Sequence, residues 1–134
     1  MNLSNLSIFG LASDRMTWLA ARQKVTSQNV ANASTPDFKA RDISPFESML
    51  QSRTASAPGL ATTHAKHLTS GTSGAPGIRE IDDPLAEKMK LDGNTVVLED
   101  QTIRAADTSD QYRMAAQLYR KSYDLLTLSV TGGR

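Results

Sequence analysis

Cysteine is absent from this 134-residue chain. That excludes disulfides, thiolate metal sites and cysteine nucleophiles, and it suits a protein that crosses from a reducing to an oxidising compartment. Aromatic residues make up only 5% and apolar residues 39%. One domain is expected at this length, with little material for a deep core of its own. The formal net charge is +1, so no strong pull toward nucleic acid or acidic membranes is expected. No run approaches the ~20 apolar residues that a membrane span needs. The opening stretch, Met1-Asn2-Leu3-Ser4-Asn5-Leu6-Ser7-Ile8-Phe9, has no basic region and no long apolar region, so it does not read as a cleaved signal peptide. The expectation is a cytosolic protein, or one exported by a route that uses no cleaved signal.

The apolar residues that are present concentrate at the two ends. Leu11, Trp18 and Val25 are seven apart, and Asn32 continues the row. Ala21 and Gln28 complete a weak a/d-like seam. The pattern predicts a helix from about Leu11 to Ala33, since Gly10 is a poor interior residue and Ser13 and Asp14 suit a first turn. Arg15, Arg22 and Lys24 can face outward or toward partners. Pro36 biases Thr35 out of the α region, so the helix stops before it. The second helical pattern follows the turn signal Asp92-Gly93-Asn94, with Asn94 or Thr95 as the expected cap. One row is Leu98, Ala105, Tyr112, Tyr119 and Leu126; the other is Ser109, Ala116, Tyr123 and Val130. Together they give 3-4 spacing over about four heptads, a coiled-coil-like signal. Gly132 and Gly133 are expected to end it.

Between these ends, residues 51–90 change character. Thr54-Ala55-Ser56-Ala57-Pro58-Gly59 and Thr69-Ser70-Gly71-Thr72-Ser73-Gly74-Ala75-Pro76-Gly77 carry no usable period. Such composition buries too little apolar area to offset its ordering entropy. Ile78 to Ile81 and Thr95 to Leu98 are candidate strand fragments. The predicted fold class is mainly α, with the N- and C-terminal helices paired as a coiled-coil-like core around a poorly ordered or weakly β central segment. The expected divisions are a core helix at 1–33, a motif and extended segment at 34–50, a loop or weak β excursion at 51–93 and a second core helix at 94–134.

Catalytic constellations come up short. His64 and His67 form an H-x-x-H pair without further ligands. Asp82-Asp83 and Glu99-Asp100 are adjacent, which does not set carboxylates across a substrate. Gly71-Thr72-Ser73-Gly74 lacks the Gly-Lys ending of a phosphate loop. Tyr112, Tyr119 and Tyr123, with Arg113, Arg120 and Lys121, have the spacing of a packing seam flanked by solvated charge. No catalytic residue, cofactor or metal is expected. An intracellular helical adaptor is the competing class. A hydrolase would need a convergent acid/base pair, and none is convincing.

The run Ser27-Gln28-Asn29-Val30-Ala31-Asn32-Ala33-Ser34-Thr35-Pro36-Asp37-Phe38-Lys39 resembles the N-terminal signature of the bacterial flagellar rod, hook and hook-associated axial-protein family. There a helix ends in Asn-x-x-Asn and Thr-Pro-Gly-Tyr, or a close variant, follows. The short chain, Ala40-Arg41-Asp42 after the motif and Asp92-Gly93-Asn94-Thr95-Val96 before the last helix resemble the proximal-rod branch. Asp37 stands in place of the usual Gly, Phe38 in place of Tyr, and Val97 where an acidic residue is common. The resemblance implies a structural rod subunit of the flagellar basal body, in the periplasm. It implies export through the flagellar type III apparatus without a cleaved signal peptide, and folding coupled to assembly. The implied partners are other copies, other rod proteins, the basal-body adaptor FliE, the export gate and the MS ring, with no nucleic acid and no direct membrane span. The interaction residues expected at the N-terminal end are Leu11, Trp18, Val25, Asn29, Asn32, Thr35, Pro36 and Phe38. Those at the C-terminal end are Leu98, Ala105, Tyr112, Ala116, Tyr119, Tyr123 and Leu126.

Overall fold

A computed structural model describes residues 7–54, 77–86 and 90–132. Helix α1 spans Ser7–Ala31 and so begins a turn before the expected Leu11. The reason is tertiary. Phe9 is buried, and its ring meets Tyr119 edge-on with centroids 5.1 Å apart. That contact offsets the roughly 1 kcal/mol that Gly10 costs inside a helix. The helix ends at Ala31, ahead of Thr35 and Pro36 as the sequence requires.

Helix α3 spans Leu98–Thr131, a rod of about 50 Å. Its N-cap is Val97, in extended conformation and with no side-chain cap bond. Asn94 and Thr95 do not cap it because their side chains are used elsewhere. Glu99 and Asp100 in the first turn supply negative charge to the positive end of the dipole instead. Gly132, at φ 68°, closes the helix in the left-handed region, where glycine meets no Cβ penalty.

The two long helices lie antiparallel. Going up α1, Phe9 meets Tyr119, Arg15 donates to Gln111 at 2.7 Å and Asn29 donates to Gln101 at 3.0 Å. This is the paired-helix core that the seven-residue spacing predicts. The face that α3 buries most completely is polar, however: Gln101, Arg104 and Thr108.

A small layer packs against α1 and reaches the first turns of α3 through Arg104. Strand β1, Arg41–Ile43, pairs antiparallel with β2, Glu80–Asp82, in the register Asp42↔Ile81. The β2 strand overlaps the apolar fragment Ile78 to Ile81. The other candidate fragment, Thr95 to Leu98, forms no strand: Leu98 opens α3, and the Thr95 amide donates to the Phe38 carbonyl at 3.0 Å. Between the strands in sequence, α2 covers Phe46–Thr54, beginning within the segment read as extended. It forms there because Met49 is fully buried and Phe46 packs beside it. One core cluster joins Trp18, Leu19 and Val25 to Ile43 and Met49, and a second joins Ala33, Ala40 and Val96, with Phe38 against it. The His64/His67 pair, the Gly71–Gly74 run and Gly133 lie outside the described residues.

Candidate interaction site

The turn after α1 and the strand-like run before α3 interlock. Asn94 is fully buried. Its Nδ2 donates to the carbonyls of Asn32 at 2.9 Å and Thr35 at 2.7 Å, and its Oδ1 accepts from the Val96 amide at 2.7 Å. One amide side chain thus ties together carbonyls of the turn that follows α1, which also accept from the Thr35 and Phe38 amides. Around it, Asp37 N donates to the Asp92 carbonyl at 2.9 Å and Ala40 N donates to Thr95 Oγ1 at 2.8 Å. Asp37 has φ 58°, and Gly93 opposite it has φ 79°. Asp is one of the few residues with a side chain that visits this region routinely. A Cβ on Gly93 would collide with the Asp37 carboxylate.

A second polar knot lies one layer on. Asn29 Nδ2 donates to the Arg41 carbonyl at 2.7 Å, while its Oδ1 accepts from the Arg41 amide at 3.0 Å. Arg22 grips Asp42 through two bonds of 3.1 and 2.9 Å. Arg104 reaches Asp83 at 2.8 Å and Asp42 at 3.4 Å. Buried guanidinium and carboxylates compensate one another, so loss of one partner is far more costly than the net worth of the pair. Arg22 is therefore paired and half-buried, and Arg15 lies between the rings of Trp18 and Phe46 at 4.8 and 4.9 Å.

The residues singled out from the sequence divide into three groups. Trp18, Val25 and Asn29 are buried inside the chain, with Trp18 Nε1 donating to the Ser44 carbonyl at 2.8 Å. Asn32 and Phe38 are half-buried in the interlocked turn, while Thr35 and Pro36 are exposed beside it. Ala105, Ala116, Tyr119 and Leu126 are half-buried along α3, whereas Leu11, Leu98, Tyr112 and Tyr123 are exposed. Reading apolar spacing misses Gln101, Arg104 and Thr108. Their 3-4 spacing is helical, but their polarity disguises an inward face.

The profile of the family described as flagella basal body rod protein matches residues 11–39, which is most of α1 and the N-terminal half of the interlocked turn. The flagellar basal body rod protein FlgB of Agrobacterium fabrum is 33% identical over 131 residues, with 96% of each chain covered. The chain belongs to the FlgB family of flagellar basal body rod proteins. FlgB of Aeromonas hydrophila is 31% identical with 98% of each chain covered, and that of Escherichia coli is 36% identical with 72% of each covered. The FlgB likeness extends through α3, so it takes in both halves of the interlocked turn.

Proposed function

We propose that the chain is a structural subunit of the flagellar basal-body rod, in its proximal part, built in by helix packing with folding completed on assembly. One observation carries the reading: in a chain of the FlgB family, the longest helix leaves much of its apolar surface uncovered. Met114, Leu118, Leu125 and Leu128 are 70, 54, 59 and 57% exposed. A helix that buries so little on its own chain depends on neighbours for stability. The partners under this reading are further copies, other rod proteins, the adaptor FliE, the export gate and the MS ring. Export proceeds without a cleaved signal peptide, and no chemical reaction is assigned. No helix among the described residues is long and apolar enough to cross a membrane.

The test is a strain lacking this chain, with basal bodies isolated and imaged. Arrested basal bodies without a rod, restored by the wild-type chain and containing it, are the expected result. Complete rods in the deletion strain would reject the proposal.

A further inference from the structure

The small sheet has one closed edge and one open edge. In an antiparallel pair, residues that exchange ladder bonds alternate with residues whose N–H and C=O point away from the partner strand. Ser44 N donates to the Arg79 carbonyl at 2.8 Å and Asp83 N to the Ala40 carbonyl at 2.9 Å, with Asp42 opposite Ile81 between them. The main-chain groups of Arg41 on β1, and of Glu80 and Asp82 on β2, therefore point outward. On the β1 side the edge is closed. The Asn29 side chain donates to the Arg41 carbonyl and accepts from the Arg41 N–H, as a neighbouring strand would. On the β2 side, the outward groups of Glu80 and Asp82 make no hydrogen bond among the described residues, and the whole strand is exposed.

We propose that the outer edge of β2 takes a third strand: an extended segment of a second protein, with cations at alternate positions and an apolar residue between them. The surface is one that helix packing leaves unused. Strand addition of this kind draws affinity from main-chain bonds and selectivity from the side chains on either face. Both faces of this edge are defined. Glu80 and Asp82 share one face, since side chains alternate along a strand. The Glu80 side chain is 46% exposed beside Arg41, and Asp82 makes no ion pair among the described residues. Ile81 faces the other way, 38% exposed, on a cleft of about 320 Å³ that Trp18, Phe46 and Pro84 also line. Arg79 is exposed on the Ile81 face and disfavours a cation there. A matching strand therefore reads cation, apolar, cation opposite Glu80, Ile81 and Asp82. A second copy offering its own β2 does not fit. With Ile81 facing Ile81, either strand direction sets carboxylates against carboxylates, which destabilises the pair. Charge on an open strand keeps it from pairing indiscriminately; acidic charge leaves it selective for a basic strand.

The probe is a short synthetic peptide of alternating lysine and valine, added to the isotope-labelled full-length chain, with a glutamate–valine peptide as control. Amide hydrogen exchange is followed by NMR. The lysine–valine peptide should slow exchange at Glu80 and Asp82 several-fold and leave α3 unchanged, and the glutamate–valine peptide should slow neither. No slowing at millimolar peptide, equal slowing by both peptides, or slowing spread to other acidic sites such as Glu99 and Asp100 overturns the proposal. Protection of Glu80 and Asp82 that exists without peptide and is lost on dilution means that the edge pairs with another copy, and overturns it too. Two variants separate main chain from charge. Asp82→Pro removes an outward N–H and spares the Ile81 and Asp83 amides that face β1; it should abolish the protection at Glu80. Asp82→Lys keeps the main chain. It should weaken the response to the lysine–valine peptide several-fold and create one to the glutamate–valine peptide. Should Asp82→Pro disrupt the sheet, Asp82→Lys decides, and an unchanged response to the lysine–valine peptide in that variant overturns the proposal.

Discussion

The two ends of the helix pair are built on different principles. At the end where α1 stops and α3 starts, polar side chains do the joining, and they are buried: Asn29, Asn94, Gln101 and Arg104. Each has named partners within the chain, and the small β layer and α2 pack over the same region. At the other end α1 meets α3 through the edge-on contact of Phe9 with Tyr119. Beyond that contact α3 runs on to Thr131 with Leu125, Leu128 and Val130 exposed. The joining side chains of the first end are satisfied within one chain, while the second has apolar area in excess of anything the described residues cover. Hydrogen-bonded burial fixes a unique arrangement, whereas apolar surplus leaves the choice of cover to whatever arrives.

The comparison breaks first at Arg104. Arg104→Ala should lower stability by about 3–5 kcal/mol, because it leaves the buried Asp83 carboxylate without its cation, while Asp42 keeps Arg22. Urea unfolding followed by circular dichroism measures this, and a loss under about 1 kcal/mol would show that the polar end is not what holds the pair. Next comes Asn94→Ala, with an expected loss of about 1–3 kcal/mol from the three bonds of its buried amide, the Val96 amide being left without its acceptor. Amide hydrogen exchange should then speed up around residues 29–38 and much less near Phe9; uniform acceleration would erase the distinction between the ends. Asp37→Gly works in the opposite direction. Relief of the left-handed backbone is partly offset by the freer unfolded chain, so a gain of up to about 1 kcal/mol is expected. The smallest effect on folding belongs to Leu125→Ser, which should stay within about 0.5 kcal/mol because the residue is exposed. The same variant should cut incorporation into basal bodies severely. Folding loss without incorporation loss would mean that the apolar surplus serves the chain itself.

What could be read from the sequence follows the same division. The heptad rows from Leu98 to Leu126 announced α3 because their apolar spacing survives without knowledge of any neighbour. Pro36 likewise marked the end of α1, and Ile78 to Ile81 marked the β2 strand. The polar end resisted reading because its determinants are long-range. Asn94 resembles a helix cap locally, yet its amide is spent on Asn32 and Thr35. Arg22 and Arg104 resemble solvated charges until Asp42 and Asp83 are brought to them. Helix α2 is short and weakly patterned, and Met49 is held by side chains distant in sequence. Of the surface, Asp82 could be read as solvated charge, but the open edge it sits on exists only once β1 lies beside Ile81.

The bond between Asn94 and the end of α1 spans 62 positions of sequence. A chain synthesised at roughly 5–20 residues per second presents Asn32 about 3–12 s before Asn94 exists. Throughout that interval the turn after the first helix has only its local bonds, Thr35 N to the Asn32 carbonyl and Phe38 N to the Thr35 carbonyl, and none of the long-range ones. The clasp therefore acts as a delay: it holds the N-terminal segment accessible first and closes it only when the last third of the chain has appeared.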